Sequence, residues 1–294
     1  MIPVYLKNKL ESCYGVSLTE EIIEGMISRR TSLRVNQLRG SWEKTKVGLD
    51  EAGILWEPIS WFPDAFLLQE KMEAKITQLP LYEQGLIYLQ SLSSMLPPLL
   101  LGALAGEDIL DMAAAPGGKT TEIASLTGGR ALITACERNV ARAERLRANL
   151  SRQGATRVTV MQMDARNLPD TFLFDRVLLD APCSGSGTWL PGSKGNFAED
   201  LLKKTSALQR SLLKKALSLV RPNGIVVYST CSILPQENEE VVMQLLKAGG
   251  CTLVPIDELR FVDVPRLPCL LPGSMLVRPT MEYEGFFVAI LRKE

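Results

Sequence analysis

No histidine occurs among the 294 residues. That absence excludes Ser-His-Asp and Cys-His machines, imidazole acid–base chemistry and His-ligated metals. Any catalysis has to run on Asp, Glu, Lys, Cys, Tyr or a bound cofactor. Net charge is also lacking, since 33 Lys+Arg balance 33 Asp+Glu. An all-over basic coat for nucleic acid is therefore not expected, although a sum leaves local basic patches open. The 6 cysteines include no Cys-x-x-Cys pair, so neither a disulfide framework nor a zinc site is expected, and reduced thiols point to the cytoplasm. No apolar leader follows Met1, and the most apolar stretch, Leu92 to Ala105, is interrupted by Pro97, Pro98 and Gly102. Neither a signal peptide nor a membrane span is expected from these segments. Repeats and low-complexity tracts are missing as well.

What is present reads as a globular chain, 46% hydrophobic and 22% charged, in two parts. Residues 1–83 suggest a small α+β unit. Ser32 to Leu38 alternates like a strand, Trp42 to Ala52 reads as a helix ending at Gly53, and Ile54 to Leu68 suggests short strands and turns. The segment Tyr82 to Leu101 leads into the second part, 84–294, as a helix closed by Pro97-Pro98. Six strands then alternate with helical patterns: Ile109 to Met112, Ala131 to Glu137, Val158 to Asp164, Val177 to Asp180, Ile225 to Cys231 and Phe286 to Leu291. That rhythm predicts an α/β fold, a parallel sheet covered by helices on both faces, with ligands at the carboxyl ends of the strands.

A small-residue turn, Ala113-Ala114-Ala115-Pro116-Gly117-Gly118-Lys119-Thr120, follows the first of these strands. It ends like a P-loop, but the first glycine that motif requires falls on Ala113, and no G-x-G-x-x-G is present. Glu137 ends the second strand, where a carboxylate can take two ribose hydroxyls, and Asp164 ends the third, where it can accept from an exocyclic amine. Together they point to an adenosine-bearing cofactor without a phosphate requirement, which S-adenosylmethionine fits. The fourth and fifth strands end in Asp180-Ala181-Pro182-Cys183-Ser184-Gly185 and Ser229-Thr230-Cys231-Ser232, the latter followed by Glu237-Asn238-Glu239. Cys183 and Cys231 thus lie at two strand ends facing one cleft. Cys13, Cys136, Cys251 and Cys269 read as ordinary small apolar residues.

In these pieces, their order and their spacing, the chain resembles the RNA cytosine-C5 methyltransferases of the RsmB/RsmF and NSUN group. Leu33-Arg34-Val35-Asn36 and Gln90-Ser91 are weaker matches. The resemblance implies a Rossmann-like S-adenosylmethionine-dependent methyltransferase sheet with a small N-terminal α+β domain. It implies Cys231 as the nucleophile that adds to cytosine C6, Asp180 as the group holding the N3/N4 edge, and Cys183 as an aid to product release. It implies cofactor contacts from Ala113, Ala114, Ala115, Pro116, Gly117, Gly118, Lys119, Glu137, Arg142, Asp164 and Asp180, with no metal. RNA, ribosomal or transfer, is the implied partner, and no membrane is involved. A DNA cytosine-C5 methyltransferase is the enzymic rival, and a non-catalytic RNA-binding factor the other. The former uses the cysteine of the Pro-Cys motif, so Thr230-Cys231-Ser232 argues against it; the intact Cys183, Cys231 and Asp180 argue against the latter.

Three departures from the family pattern stand out. Ala113 replaces a common Cys, the stretch Trp189 to Asn196 lacks the usual Arg, and the chain leaves no room for the further C-terminal RNA-binding domain of longer relatives. Basic clusters lie at Arg138, Arg142, Arg145, Arg147 and Arg152, at Lys203, Lys204, Arg210, Lys214 and Lys215, and at Arg29, Arg30, Arg34 and Arg39. The last group is expected to touch RNA.

Overall fold

The computed structural model describes residues 2–190 and 197–294. A larger mixed sheet and a smaller antiparallel one share an apolar interior. The chain opens with helix α1 (Val4–Gly25), kinked at Gly15, whose φ of 76° only glycine adopts without strain. Next come β1 (Ser32–Val35), α2 (Trp42–Glu51), β2 (Trp56–Pro58) and β3 (Ala65–Leu68), then two single turns, α3 (Glu73–Ile76) and α4 (Pro80–Glu83), and β4 (Ile87–Leu89). The four strands form an antiparallel sheet in the order β2-β3-β1-β4. Ser41 caps α2 by accepting from the Lys44 N–H.

Helix α5 (Leu92–Leu101) leads into β5 (Asp108–Asp111), α6 (Gly118–Leu126), β6 (Leu132–Cys136), α7 (Val140–Gln153), β7 (Val158–Met161) and β8 (Phe174–Asp180). Helix α8 (Glu199–Leu219), β9 (Val220–Thr230), α9 (Glu239–Ala248), β10 (Cys251–Val254), β11 (Met275–Val277) and β12 (Phe286–Lys293) complete the chain. The large sheet runs β10-β12-β9-β8-β5-β6-β7, with β11 added on β12. Strands β5 to β9 pair parallel, whereas β12 pairs antiparallel with β9, β10 and β11. The expected α/β, Rossmann-like fold is therefore present, with an antiparallel edge on its parallel body.

Period-two alternation divides the interior. Val177 and Leu179 of β8 pack with α1, α8 and α9 on one face, while Leu178 packs with α5, α6 and α7 on the other. The small sheet is shared in the same way: Phe66 and Leu68 of β3 face α2, and Ala65 and Leu67 join the interior of the large sheet. Two expectations are corrected here. The small sheet extends past Glu83 to β4, and Leu6, Leu10 and Ile22 of α1 pack on the large sheet, so a division at 83 does not follow the packing. Pro97 and Pro98 lie inside α5 rather than closing it. Pro98 has no N–H for the Ser94 carbonyl four residues back, and Gln90 Nε2 supplies that hydrogen bond at 3.0 Å.

Candidate active site

The strand order reverses between β5 and β8, and the ligand crevice of an open α/β sheet lies outside the strand ends at such a point. Two adjoining cavities occupy that edge. One is lined by Met112, Ala113, Glu137, Arg142, Met163 and Asp164, among others. The second holds Asp111, Ala113 to Pro116, Gly118, Lys119, Asp180, Cys231 and Phe286.

The first cavity has the chemistry of an adenosine site. The turn after β5 enters α6 through Gly117, at φ 109°, where any Cβ would also press on Leu146 at 3.0 Å. Glu137 is nearly buried directly after β6, accepts from the Asn139 N–H and meets Arg142 Nε at 3.5 Å. Arg142 also donates to the Ala115 carbonyl at 2.6 Å, so it does turn back toward the cofactor turn. Asp164 lies three residues beyond the end of β7, where it caps a short turn and pairs with Arg166, which holds its carboxyl below the usual range. A carboxylate for a diol, a second for an amine and the apolar walls of Met112, Met163, Leu208 and Leu212 fit the adenosine of S-adenosylmethionine.

The second cavity holds the reactive groups. Cys183 Sγ and Cys231 Sγ lie 3.2 Å apart, delivered by the ends of β8 and β9. Contact with Cys231, burial and the nearby Glu237 push the Cys183 thiol well above its ordinary value. Asp180 Oδ2 pairs with Lys119 Nζ at 2.7 Å, and Asp180 Oδ1 accepts from Ser229 Oγ at 2.8 Å. Burial alone would lower the Lys119 pKa, but Asp180, Asp111 and Cys231 outweigh it and raise it. Lys119 also donates to Ser94 Oγ at 2.7 Å and lies over the Phe286 ring. Asp111, behind this pair, is pushed up to about 6 by burial, against the hydrogen bond from Thr120.

Buried polar groups fix both cysteine loops. Glu237, fully buried, accepts from the Ser184 N–H at 2.8 Å, from Ser184 Oγ at 2.5 Å and from Gln209 Nε2 at 3.2 Å. Asn238 accepts from Thr230 Oγ1 and donates to the Ser232 carbonyl, closing the loop behind Cys231. The Gly187 N–H donates to the Cys231 carbonyl, tying one cysteine loop to the other. Gly187 also approaches the Gly285 carbonyl so closely that a Cβ would fall 2.1 Å from its oxygen.

Asp180, Cys231 and the turn residues Ala113 to Pro116, Gly118 and Lys119 therefore line one cavity, and Cys183 adjoins it through its contact with Cys231. The expectation for one N-terminal arginine is corrected. Arg34 is completely buried, donating to Gln90 Oε1, the Gly118 carbonyl and Thr121 Oγ1, with Glu122 3.7 Å away. It braces the first turn of α6 from the small sheet and cannot touch RNA. Arg29 pairs with Glu284 and Arg30 with Glu57 and Glu282, so their charges are neutralised locally. Lys203 and Lys215 are likewise paired, with Glu199 and Asp170. The part of the Trp189 to Asn196 stretch from 191 to 196 falls outside the described residues. Sequence reasoning missed Ser94 and Glu284, because a lone serine or acid carries no local pattern.

Comparison with known proteins identifies the family. Residues 98–292 match the family described as 16S rRNA methyltransferase RsmB/F. Ribosomal RNA small subunit methyltransferase F of Shewanella amazonensis is 36% identical over 274 residues, covering 90% of this chain and 58% of that protein. Its Salmonella agona counterpart is 39% identical over 284 residues, covering 90% and 57%. The chain thus spans little more than half the length of these relatives. A methyltransferase homolog protein from Pyrococcus horikoshii is 31% identical, with a TM-score of 0.85 and 100% of both chains covered. NSun6 from Pyrococcus horikoshii, solved with the S-adenosylmethionine analogue SFG, shares the fold at 23% identity, with a TM-score of 0.87 over 99% of this chain and 98% of that one.

Proposed function

Because this chain belongs to the 16S rRNA methyltransferase RsmB/F family, whose cofactor is S-adenosylmethionine, we propose that it methylates C5 of a cytosine in ribosomal RNA through a covalent Cys231 adduct. The observation that carries the reading is Cys231 in one cavity with the Asp180–Lys119 pair, its sulfur 3.2 Å from that of Cys183. Ribosomal RNA is favoured over tRNA because the matched family and the curated relatives are named for the small-subunit rRNA.

Cytosine C5 is a weak nucleophile. A thiolate that adds to C6 saturates the C5–C6 bond and moves its electron pair to C5, giving an enamine across C4 and C5 whose C5 can attack a methyl group. Cys231 supplies that thiolate, and the Cys183 thiol, its sulfur 3.2 Å away, can donate a hydrogen bond that favours it. Asp180 faces the base cavity, where it holds the N3/N4 edge as charge develops on the ring. Lys119 fixes the Asp180 carboxylate and keeps the local charge balanced. Bound S-adenosylmethionine supplies an electrophilic methyl group, and the turn from Ala113 to Gly118, Glu137, Arg142 and Asp164 orients it. Loss of the C5 proton to solvent water then restores the C5–C6 double bond and expels Cys231 as a thiolate, which the Cys183 thiol 3.2 Å away can stabilise by a hydrogen bond. The base enters unpaired or flipped, since C6 is out of reach in a stacked helix. Incubation with methyl-labelled cofactor and small-subunit rRNA, followed by nucleoside analysis, tests the reading. Labelled 5-methylcytidine is expected; label on any other nucleoside overturns it.

A further inference from the structure

A third cavity opens beside the one that holds Cys231. The two share Leu89, Gln90, Ser91 and Glu284 as a common wall. We propose that this neighbouring cavity is a subsite for the nucleotide next to the target cytosine, with Lys71 meeting its phosphate and Glu284 reading its base. The proposal rests on the cytosine reading above.

RNA is a polymer, so a base drawn into the Cys231 cavity brings the next nucleotide to within one backbone step of it. The cavity that shares a wall is where that nucleotide arrives. Its lining is of mixed sign, with Arg29, Arg30 and Lys71 facing Glu73, Glu282 and Glu284. A site for phosphate alone would be basic throughout, whereas a base edge presents donors and acceptors together. Glu284 is anchored for such a role. Arg29 Nη1 holds one carboxylate oxygen, and Ser91 Oγ donates to the other at 2.7 Å. Ser93 Oγ donates to the Glu284 carbonyl at 2.7 Å, so the backbone is fixed as well. Arg29 Nε and Nη2 are buried with no hydrogen-bond partner, a cost that an acceptor entering the cavity would relieve. Arg29 and Arg30 are each committed to carboxylates, while Lys71 is exposed at the cavity and makes no ion pair among the described residues. Lys71 is therefore the cation available to a phosphate.

The test uses the full chain loaded with S-adenosylhomocysteine and a fluorescent single-stranded RNA oligonucleotide with one cytosine. The oligonucleotide carries a neutral methylphosphonate at the linkage 5′ of the cytosine, at the linkage 3′ of it, or at a distal linkage. The expected result is that one of the two adjacent replacements weakens binding several-fold and the distal one does not. Lys71→Ala should weaken binding of the unmodified oligonucleotide about 3- to 10-fold and reduce the salt slope by about 0.7. It should add nothing once the critical phosphate is neutral. Glu284→Gln should flatten the base preference at the same flank. Additive effects of Lys71→Ala and both adjacent methylphosphonates, or equal affinity for all four bases at both flanks, overturn the subsite. Loss of cytosine methylation with this binding pattern intact overturns the earlier reading instead, so the two failures are distinguishable.

Discussion

Glu237 touches no substrate, yet it holds the loop that carries Cys183, and removing its carboxylate should separate the two cysteine roles. Three donors converge on it: the Ser184 N–H, Ser184 Oγ and Gln209 Nε2. Its side chain is fully buried, so water cannot replace them. Hydrogen bonds to a charged acceptor contribute about 1.5–3 kcal/mol each, and a stranded buried donor costs about 1–3 kcal/mol. Glu237→Ala strands the Ser184 N–H, leaves Gln209 Nε2 with only the Pro182 carbonyl and opens a void, for a loss of about 4 kcal/mol. Glu237→Gln keeps the shape and one acceptor, and Ser184 Oγ can rotate to accept, for a loss of about 1–2 kcal/mol. Unfolding entropy of about 2.1 cal/mol/K per residue gives a chain of this length about 0.6 kcal/mol/K, so the melting temperature falls by about 6 °C for Ala and about 2–3 °C for Gln. Thermal unfolding followed by fluorescence measures this. In turnover assays both variants should retain adduct formation by Cys231, and Glu237→Ala should release product slowly because the Cys183 loop has lost its anchor. A Glu237→Ala protein that melts within 1 °C of wild type (a shift far below the about 6 °C expected) and turns over normally would refute the reasoning.

Other outcomes follow from the same contacts. Arg34→Met leaves Glu122 buried without its counter-ion and should cost about 3–5 kcal/mol, part of which Arg34→Met/Glu122→Gln recovers; a denaturant double-mutant cycle with no coupling would contradict this. Asp111 has a folded pKa raised from 3.8 to about 6, so its favourable contribution is complete below pH about 4 and is lost as pH rises through about 6. The stability of Asp111→Asn relative to wild type should therefore rise by up to about 3 kcal/mol between pH 4 and 7, and a flat difference would show that the carboxyl is not perturbed. Glu137→Ala should weaken S-adenosylmethionine binding about 10- to 100-fold with no effect on RNA affinity, measured by calorimetry; unchanged cofactor affinity would remove Glu137 from the ribose site.

The sheet was legible because buried parallel strands show as short apolar runs, and Val177-Leu178-Leu179-Asp180 needs no neighbour to be recognised. Position in a strand also singled out Cys183, Cys231, Asp180 and Glu137, since strand ends face the crevice of an α/β sheet. Helix α5 was misread because Pro97-Pro98 breaks helices by local rules, whereas Gln90 repairs the ladder from outside the helix. Arg34 was misread for a related reason. Charge clusters in a sequence say nothing of which acids meet them, and the partners of Arg29 and Arg34 lie 255 and 88 residues away, at Glu284 and Glu122. Likewise α1 has no sheet-facing signature of its own, and only packing shows that it covers the large sheet.

The division of labour between the two thiols is the centre of this account, and a covalent trap measures it directly. RNA containing 5-azacytosine is incubated with cofactor and wild-type, Cys231→Ala or Cys183→Ala protein, and the mixture is run on a denaturing gel. Cys231→Ala should form no protein–RNA adduct. Cys183→Ala should accumulate an adduct even with ordinary cytosine RNA, because release is impaired. The reverse pattern, an adduct that survives loss of Cys231 and disappears with Cys183, would contradict the assignment.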